Sequence, residues 1–388
     1  MGRVLLLAIV TASTVGPSSA QTTQPIAYPP VNLTRPAGQQ LRTSISLTID
    51  ETGGCVFNRV TSMLRQRDRT LVVANTGNTE LCFVTGDGRL IRRVGRSGGG
   101  PGEYRSIADI HALPGDSILV FDDFLRRLNV LAPTGTFVRS VQLKAPSDTL
   151  GFVTRVVALK DGSFIVGFSE VKSMSPRPDA VFFGQQLFHL DPGGNLLSRL
   201  GHFNESEHFV QEVPRQYGGV AYWDLAFGKR YEMVAYRDGF LGGDGAEPLV
   251  HEYTADGQTK MIHRAPFPLR PVTKSDIDQY RNERMARSKP ERRAIDQGIV
   301  DRMPYPRTWP TFRKVLTDGA ARIWLEQYPG SGAASNTWLV LDPAKRTANV
   351  FLAPRRFTLL TVFTDNACGV LRDDLDVESI RCYQVAAR

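Results

Sequence analysis

One pattern recurs along this chain and sets what it can fold into: two apolar runs joined by a short polar turn, the second closed by a glycine turn. Leu71–Phe83 followed by Gly86-Asp87-Gly88 returns as Ile118–Leu131 followed by Pro133-Thr134-Gly135. A third copy spans 152–200, with turns at Lys160-Asp161-Gly162 and Asp191-Pro192-Gly193-Gly194. A fourth spans 231–264, with Arg237-Asp238-Gly239 and Ala255-Asp256-Gly257, and a fifth spans 312–352, with Thr317-Asp318-Gly319 and Asp342-Pro343. A period of about forty to fifty residues is that of a four-stranded unit which cannot bury its apolar faces alone and must stack on neighbours.

The last copy starts near Phe357 and reaches Gln384–Arg388 with room for three strands. The missing strand is predicted at the other end. Leu41, Ile45, Leu47 and Ile49 alternate with Arg42, Ser44, Ser46, Thr48 and Asp50, the period of two of a half-buried strand. The expected fold is therefore all-β: a six-bladed β-propeller over residues 41–388, closed by an N-terminal outer strand in the last blade.

Between the first two copies runs Arg92–Asp109, RRVGRSGGGPGEYRSIAD. Gly98, Gly99, Gly100, Pro101 and Gly102 exclude helix and strand interior, because glycine is entropically costly there and proline lacks a donor. A phosphate loop needs a lysine and a hydroxyl after its last glycine, but Pro101 follows Gly100; Ser97 and Glu103 break the dinucleotide pattern. The stretch reads as a radial crossing. Strands about 4.8 Å apart require about 15 Å of inward travel to start the next blade, within reach of residues 95–104. A small anion nest of successive amides is the minor alternative.

One segment is helical. Ser275 is a candidate cap for a helix carrying Ile277, Tyr280 and Met285, and after Pro290 a second carries Ile295, Ile299 and Met303. This insertion, 273–303, falls between blades four and five. Arg270–Arg307 holds ten basic and six acidic residues, over half of the net excess of +7 that remains once Arg3 is set aside from the total of +8.

Residues 1–20 read as a secretory signal peptide: Arg3, the apolar run Val4–Val15 and the small residues Ser18-Ser19-Ala20. No cysteine follows for lipid attachment, and residues 21–40 are expected to be a disordered leader. Export places the chain in the periplasm or outside the cell, with no transmembrane segment and no nucleic-acid partner. In that oxidising setting Cys368 and Cys382, symmetric about the turn Asp373–Val377, are a candidate disulfide. Cys55 and Cys82 do not fall at facing positions and are expected to be free and buried.

With the repeat and crossing laid out, the chain resembles the NHL-type six-bladed β-propellers, specifically exported bacterial ones with a GPGE-containing interblade segment. The resemblance rests on Gly95, Gly98, Gly100, Pro101, Gly102, Glu103 and Tyr104, on Val120-Phe121-Asp122 and Arg126-Arg127, and on the ending Val370–Arg381. It implies the fold and leaves function open, since such propellers bind proteins, RNA or ligands, and related ones hydrolyse lactones or phosphotriesters or act as lyases. The lactonase-like members carry an early inner-strand glutamate as a metal ligand, whereas Cys55-Val56-Phe57-Asn58-Arg59 stands here.

Chemistry in such a ring should converge on its central channel. The inner-strand candidates are Asn58, Arg59, Asp109, His111, Arg155, Asp224 and Arg313, with His111 beside Asp109 as an acid or base and arginines holding an anion. No nucleophile accompanies them, and no GxSxG elbow occurs. His202, Glu205, Glu207 and His208 in HFNESEH lack zinc-site spacing and read as a solvated loop; Asp373, Asp374, Asp376 and Glu378 read as a charged hairpin turn. No metal or other cofactor is expected. The favoured reading is a binding module, without catalysis, for a protein, peptide or glycan at the envelope, with Tyr222, Trp223, Tyr305 and Trp309 as candidate anchors. The alternative is a metal-assisted hydrolase or lactonase using the channel.

Overall fold

The computed structural model describes residues 24–33, 42–170, 181–212, 220–328 and 335–386; the expected signal peptide and half of the expected leader lie outside them. The described chain is mostly strand, arranged in six separate sheets. The first runs Val60–Arg65, Leu71–Asn75, Glu80–Val84, Leu90–Val94 in chain order, and the second spans Asp109–Gln142 in the same way. The third takes Leu150–Asp224 and has five strands; the fourth is Glu232–Thr254 and Thr259–Arg264; the fifth is Lys314–Pro354. The sixth contains Phe357–Val362, Asn366–Arg372 and Glu378–Ala386, and its fourth strand is Arg42–Ile49, antiparallel to Glu378–Ala386.

The burial pattern explains why the sequence repeats as it does. Middle strands such as Leu71–Asn75 and Ile118–Asp122 are buried at every position, so they read as continuous apolar runs. The outer strand Leu90–Val94 is less buried and alternates. The core lies between sheets. Val72, Ala74, Leu81 and Phe83 of the first pack on Ile110, Ile118 and Val120 of the second. Similar layers join second to third, third to fourth, fourth to fifth and fifth to sixth. Val73 and Val84 share a further layer with Val370 and Ile380, bringing the sixth sheet against the first.

The glycine-rich crossing connects the outer strand Leu90–Val94 to the inner strand Asp109–Ala112. Glu103 ties it together: its carboxylate accepts from the Gly100 amide at 2.8 Å and from Arg96 Nε at 2.9 Å. The Arg127 guanidinium donates to the carbonyls of Gly99, Gly100 and Glu103 at 2.7–3.0 Å. The Gly100 amide therefore serves the chain's own carboxylate. Gly95 has φ 97°, and a Cβ there would lie 2.6 Å from Cε2 of the fully buried Tyr104.

Helix α1 (Lys274–Arg287) and helix α2 (Arg293–Arg302) fill the predicted insertion. The cap of α1 is Thr273, not Ser275: its hydroxyl accepts from the Asp276 amide, and the Asp276 carboxylate accepts from the Thr273 amide. Ile299 and Met303 pack with Phe209, Leu225, Phe227 and Trp309, seating the helices on the third sheet.

Three expectations are corrected. Cys55 and Cys82 are buried but not free: they form a disulfide, as Cys368 and Cys382 do. Cys55 lies in the connection preceding the inner strand, so strand register could not reveal the pairing. Part of the leader is ordered, since Ile26–Ala27 pairs in parallel with His263 and Arg264, and the buried Tyr28 hydroxyl lies 2.8 Å from His263 Nδ1. HFNESEH is no loop: it belongs to the 17-residue strand Leu196–Glu212.

Gly95→Ala combines a left-handed backbone with a steric clash and is expected to lower unfolding free energy by about 2–3 kcal/mol, measured by denaturant titration.

Candidate functional site

The innermost strands begin with chemically different residues: Asp109, Glu232 and Lys314 each open one, in the second, fourth and fifth sheets. Their side chains share one electrostatic cluster. Lys314 Nζ donates to the Leu359 carbonyl at 2.8 Å. Burial among the inner strands pulls the Lys314 pKa below the ordinary lysine value, and Glu326, Glu232 and Asp109 oppose that shift. Arg155 donates to the Tyr231 carbonyl at 2.9 Å and pairs with Glu232 at 3.2 Å. Arg313 pairs with Glu326 at 2.7 Å, and His111 Nε2 lies 3.4 Å from Asp109 Oδ2. Three cations, Arg155, Arg313 and Lys314, thus face three carboxylates, Asp109, Glu232 and Glu326.

Lys314, Glu232 and Glu326 were missed from sequence; aligning the repeats on their first inner-strand position would have found the first two. Asp224 is corrected in the other direction. It does not lie on an inner strand but on Val220–Asp224, the fifth strand of its sheet, at the edge opposite the inner strand. Asn58 and Arg59 precede the inner strand Val60–Arg65, and Arg59 has a left-handed φ of 53°.

Two clefts carry further polar side chains, and one of them reaches this cluster at Arg313. The first, about 270 Å³, is lined by Ser206, Asp224, Lys229, Arg230, Arg313 and Tyr328 among others, bringing two of the sequence candidates, Asp224 and Arg313, together. The second, about 510 Å³, lies between the third and fourth sheets and is lined by His202, Phe203, Asn204, Asp244, His251 and Tyr253, with Glu247 at its edge. His251 and Tyr253 present stacked faces 5.9 Å apart, and Phe203 meets Tyr253 edge-on at 5.8 Å. Asp244 accepts from Asn204 Nδ2 at 3.0 Å, while His202 pairs with Glu170 at 2.7 Å.

Of the aromatic anchors, Trp309 is 5% exposed, stacks under Arg270 at 3.8 Å and packs on Phe227 at 4.3 Å. Trp223 and Tyr305 join it beneath the helices, with Tyr305 Oη donating to the Val300 carbonyl. Tyr222, half exposed, meets the His208 ring edge-on at 5.7 Å. The acids near the C-terminus serve their own turn: Asp373 accepts from the Leu375 and Val377 amides, and Glu378 accepts from the Val60 amide. Among the described residues the one group with metal-ligand proximity is Cys55, Glu80 and Cys82, whose sulfurs are joined to each other.

No protein-family profile matches the chain, and no curated protein resembles it in sequence. Among solved structures it is similar to a Bacteroides fragilis protein designated exported, at 11% identity and TM-score 0.52, covering 94% of this chain and 100% of that one. It is also similar to virginiamycin B lyase from Staphylococcus aureus (9% identity, TM-score 0.43, 89% and 99% covered). A third is regucalcin, a calcium-binding protein from Agrobacterium tumefaciens (10% identity, TM-score 0.43, 89% and 96% covered). The likeness establishes the fold alone, a β-propeller. Among the described residues no helix is long and apolar enough to cross a membrane.

Two outcomes follow from the titrating groups. Replacing Lys314 by Met leaves enclosed carboxylates short of a cation and is expected to cost about 3 kcal/mol, read from denaturant unfolding. Burial lowers the pKa of His189, His208 and His251 below the ordinary histidine value. The unfolded chain then takes up protons that the folded chain refuses as pH falls through about 6.5, so this stability is present above that pH and lost below it. Scanning calorimetry is expected to give a lower Tm at pH 5 than at pH 7.5, with a smaller drop in His251→Gln.

Proposed function

We propose that the chain is an exported, NHL-type six-bladed β-propeller, closed by its N-terminal strand, that works in the periplasm or outside the cell as a binding module for a glycan. The cleft between the third and fourth sheets carries this reading. Tyr253, His251 and Phe203 offer aromatic faces that stack on the C–H faces of a sugar ring, while Asp244, Asn204 and Glu247 supply acceptors and donors for its hydroxyls. An apolar peptide would bury Asp244, Asn204 and Glu247 away from water without using their remaining hydrogen-bonding capacity, which disfavours it. The axial cluster supports the alternative, a metal-assisted hydrolase, less well, because each of its carboxylates already faces a protein cation.

Isothermal titration against a panel of neutral and acidic oligosaccharides tests the reading. Saturable binding is expected with at least one member, weakened about tenfold or more by Tyr253→Ala and by Asp244→Ala, both with Tm near wild type. Equal affinity in both variants would move the partner elsewhere, and a folded protein that binds no member of the panel would remove the glycan reading.

A further inference from the structure

The smaller cleft holds a set of residues that glycan binding does not use. Ser206 and His208 stand two apart on the strand Leu196–Glu212 and so project to the same face. Asp224 is the cross-strand partner of His208, and Arg230 bridges opposite Ser206, which brings all four residues to that face. Ser206 Oγ lies 2.7 Å from His208 Nε2, and Asp224 Oδ1 lies 3.5 Å from His208 Nδ1. The imidazole is fixed in orientation by Phe183, stacked on it at 4.2 Å, and by the Tyr222 edge. His208 Nδ1 is buried, with the Asp224 carboxylate and the Trp223 backbone as the groups beside it.

The geometry points to Ser206, His208 and Asp224 as a nucleophile, general base and orienting carboxylate that hydrolyse an ester whose acyl group carries an anionic substituent. Ser206 and Asp224 both line the cleft, beside the cations Lys229, Arg230 and Arg313. Lys229 is engaged by Glu207 at 3.7 Å and Arg313 by Glu326 at 2.7 Å. Arg230, 56% exposed at the side chain, approaches Asp224 at 3.8 Å, a loose pairing that leaves its guanidinium able to reach an oxyanion or the substrate's own charge. The imidazole is held neutral near pH 7 by burial, as a base must be.

In the first step Ser206 Oγ bonds to the ester carbonyl carbon while its proton passes to His208 Nε2. The carbon–oxygen bond to the alcohol then breaks, and the alcohol leaves with that proton. Water attacks the acyl-serine, gives its proton to the same nitrogen, and releases the carboxylate with Ser206 restored. This activity goes beyond the binding reading and rests on a different cleft, so either can fail alone.

The test treats the full chain with a fluorophosphonate probe, whose fluoride Ser206 Oγ would displace, and separately with p-nitrophenyl acetate and p-nitrophenyl succinate. Peptide mass spectrometry is expected to find one phosphonyl adduct, on Ser206, absent in Ser206→Ala; nitrophenolate release is expected to fall about 100-fold or more in that variant. Asp224→Asn, at an exposed position, is expected to keep the wild-type Tm and slow labelling about tenfold or more. Arg230→Gln is expected to abolish the preference for the succinyl over the acetyl ester. A folded wild-type protein that takes no label overturns the proposal, as does an adduct that persists in Ser206→Ala. Labelling of Asp224→Asn at the wild-type rate does so even if the serine variant fails to fold.

Discussion

The pairing of Arg42–Ile49 with Glu378–Ala386 is the constraint on which the rest of the molecule depends. Middle strands such as Leu71–Asn75 and Ile118–Asp122 are buried on both faces and need apolar cover on either side, and side chains of the sixth sheet supply it to the first. The seam is sealed by more than apolar packing. Glu378 accepts from the Val60 amide at 2.8 Å and from Arg372 at 2.6 Å, and Phe57 bridges to it through the backbone. A charged residue at the start of the last strand thereby holds the start of the first inner strand. Both Cys55–Cys82 and Cys368–Cys382 lie in the apolar layer at this same seam.

Much of this was legible because the physics is periodic. Burial on two faces produces continuous apolar runs and half-burial produces alternation, so the repeats and the displaced strand 41–50 could be read directly. The glycine crossing was legible because Gly98, Gly99, Gly100, Pro101 and Gly102 together exclude helix and strand interior. What escaped reading depends on contacts distant in sequence. Cys55 approaches Cys82 from a connection with no period, and Tyr28 reaches His263 across 235 residues. HFNESEH read as a loop because it falls between the third and fourth repeats. In the fold, cross-strand partners and stacked rings satisfy its polar groups within a strand.

The axial cluster shows why sequence candidates alone misjudge a channel. His111, Asp109, Arg155 and Arg313 were visible as inner-strand polar residues, and their number suggested chemistry. Arg155 reaches Glu232 in the next sheet, Arg313 is met by Glu326 on the neighbouring strand of its own sheet, and Lys314 is buried within the field of Glu326, Glu232 and Asp109, so these groups largely answer one another.

The two clefts lined by residues of the third sheet hang on one element. The strand Leu196–Glu212 is the longest described, and it places His202, Phe203 and Asn204 in one cleft and Ser206 and Glu207 in the other. The switch occurs where the register slips: Gly184 pairs with Asn204 but Phe183 pairs with Ser206, leaving Glu205 without a partner on Val181–Leu190. A bulge of this kind bends its strand and re-aims the side chains beyond it. Had the pairing continued in step, the parity of Ser206 and His208 would be reversed against the neighbouring strands, away from Phe183 and Asp224. A single extra residue in one strand is thus what separates a flat aromatic cleft from a compact serine–histidine–aspartate cluster on the same sheet.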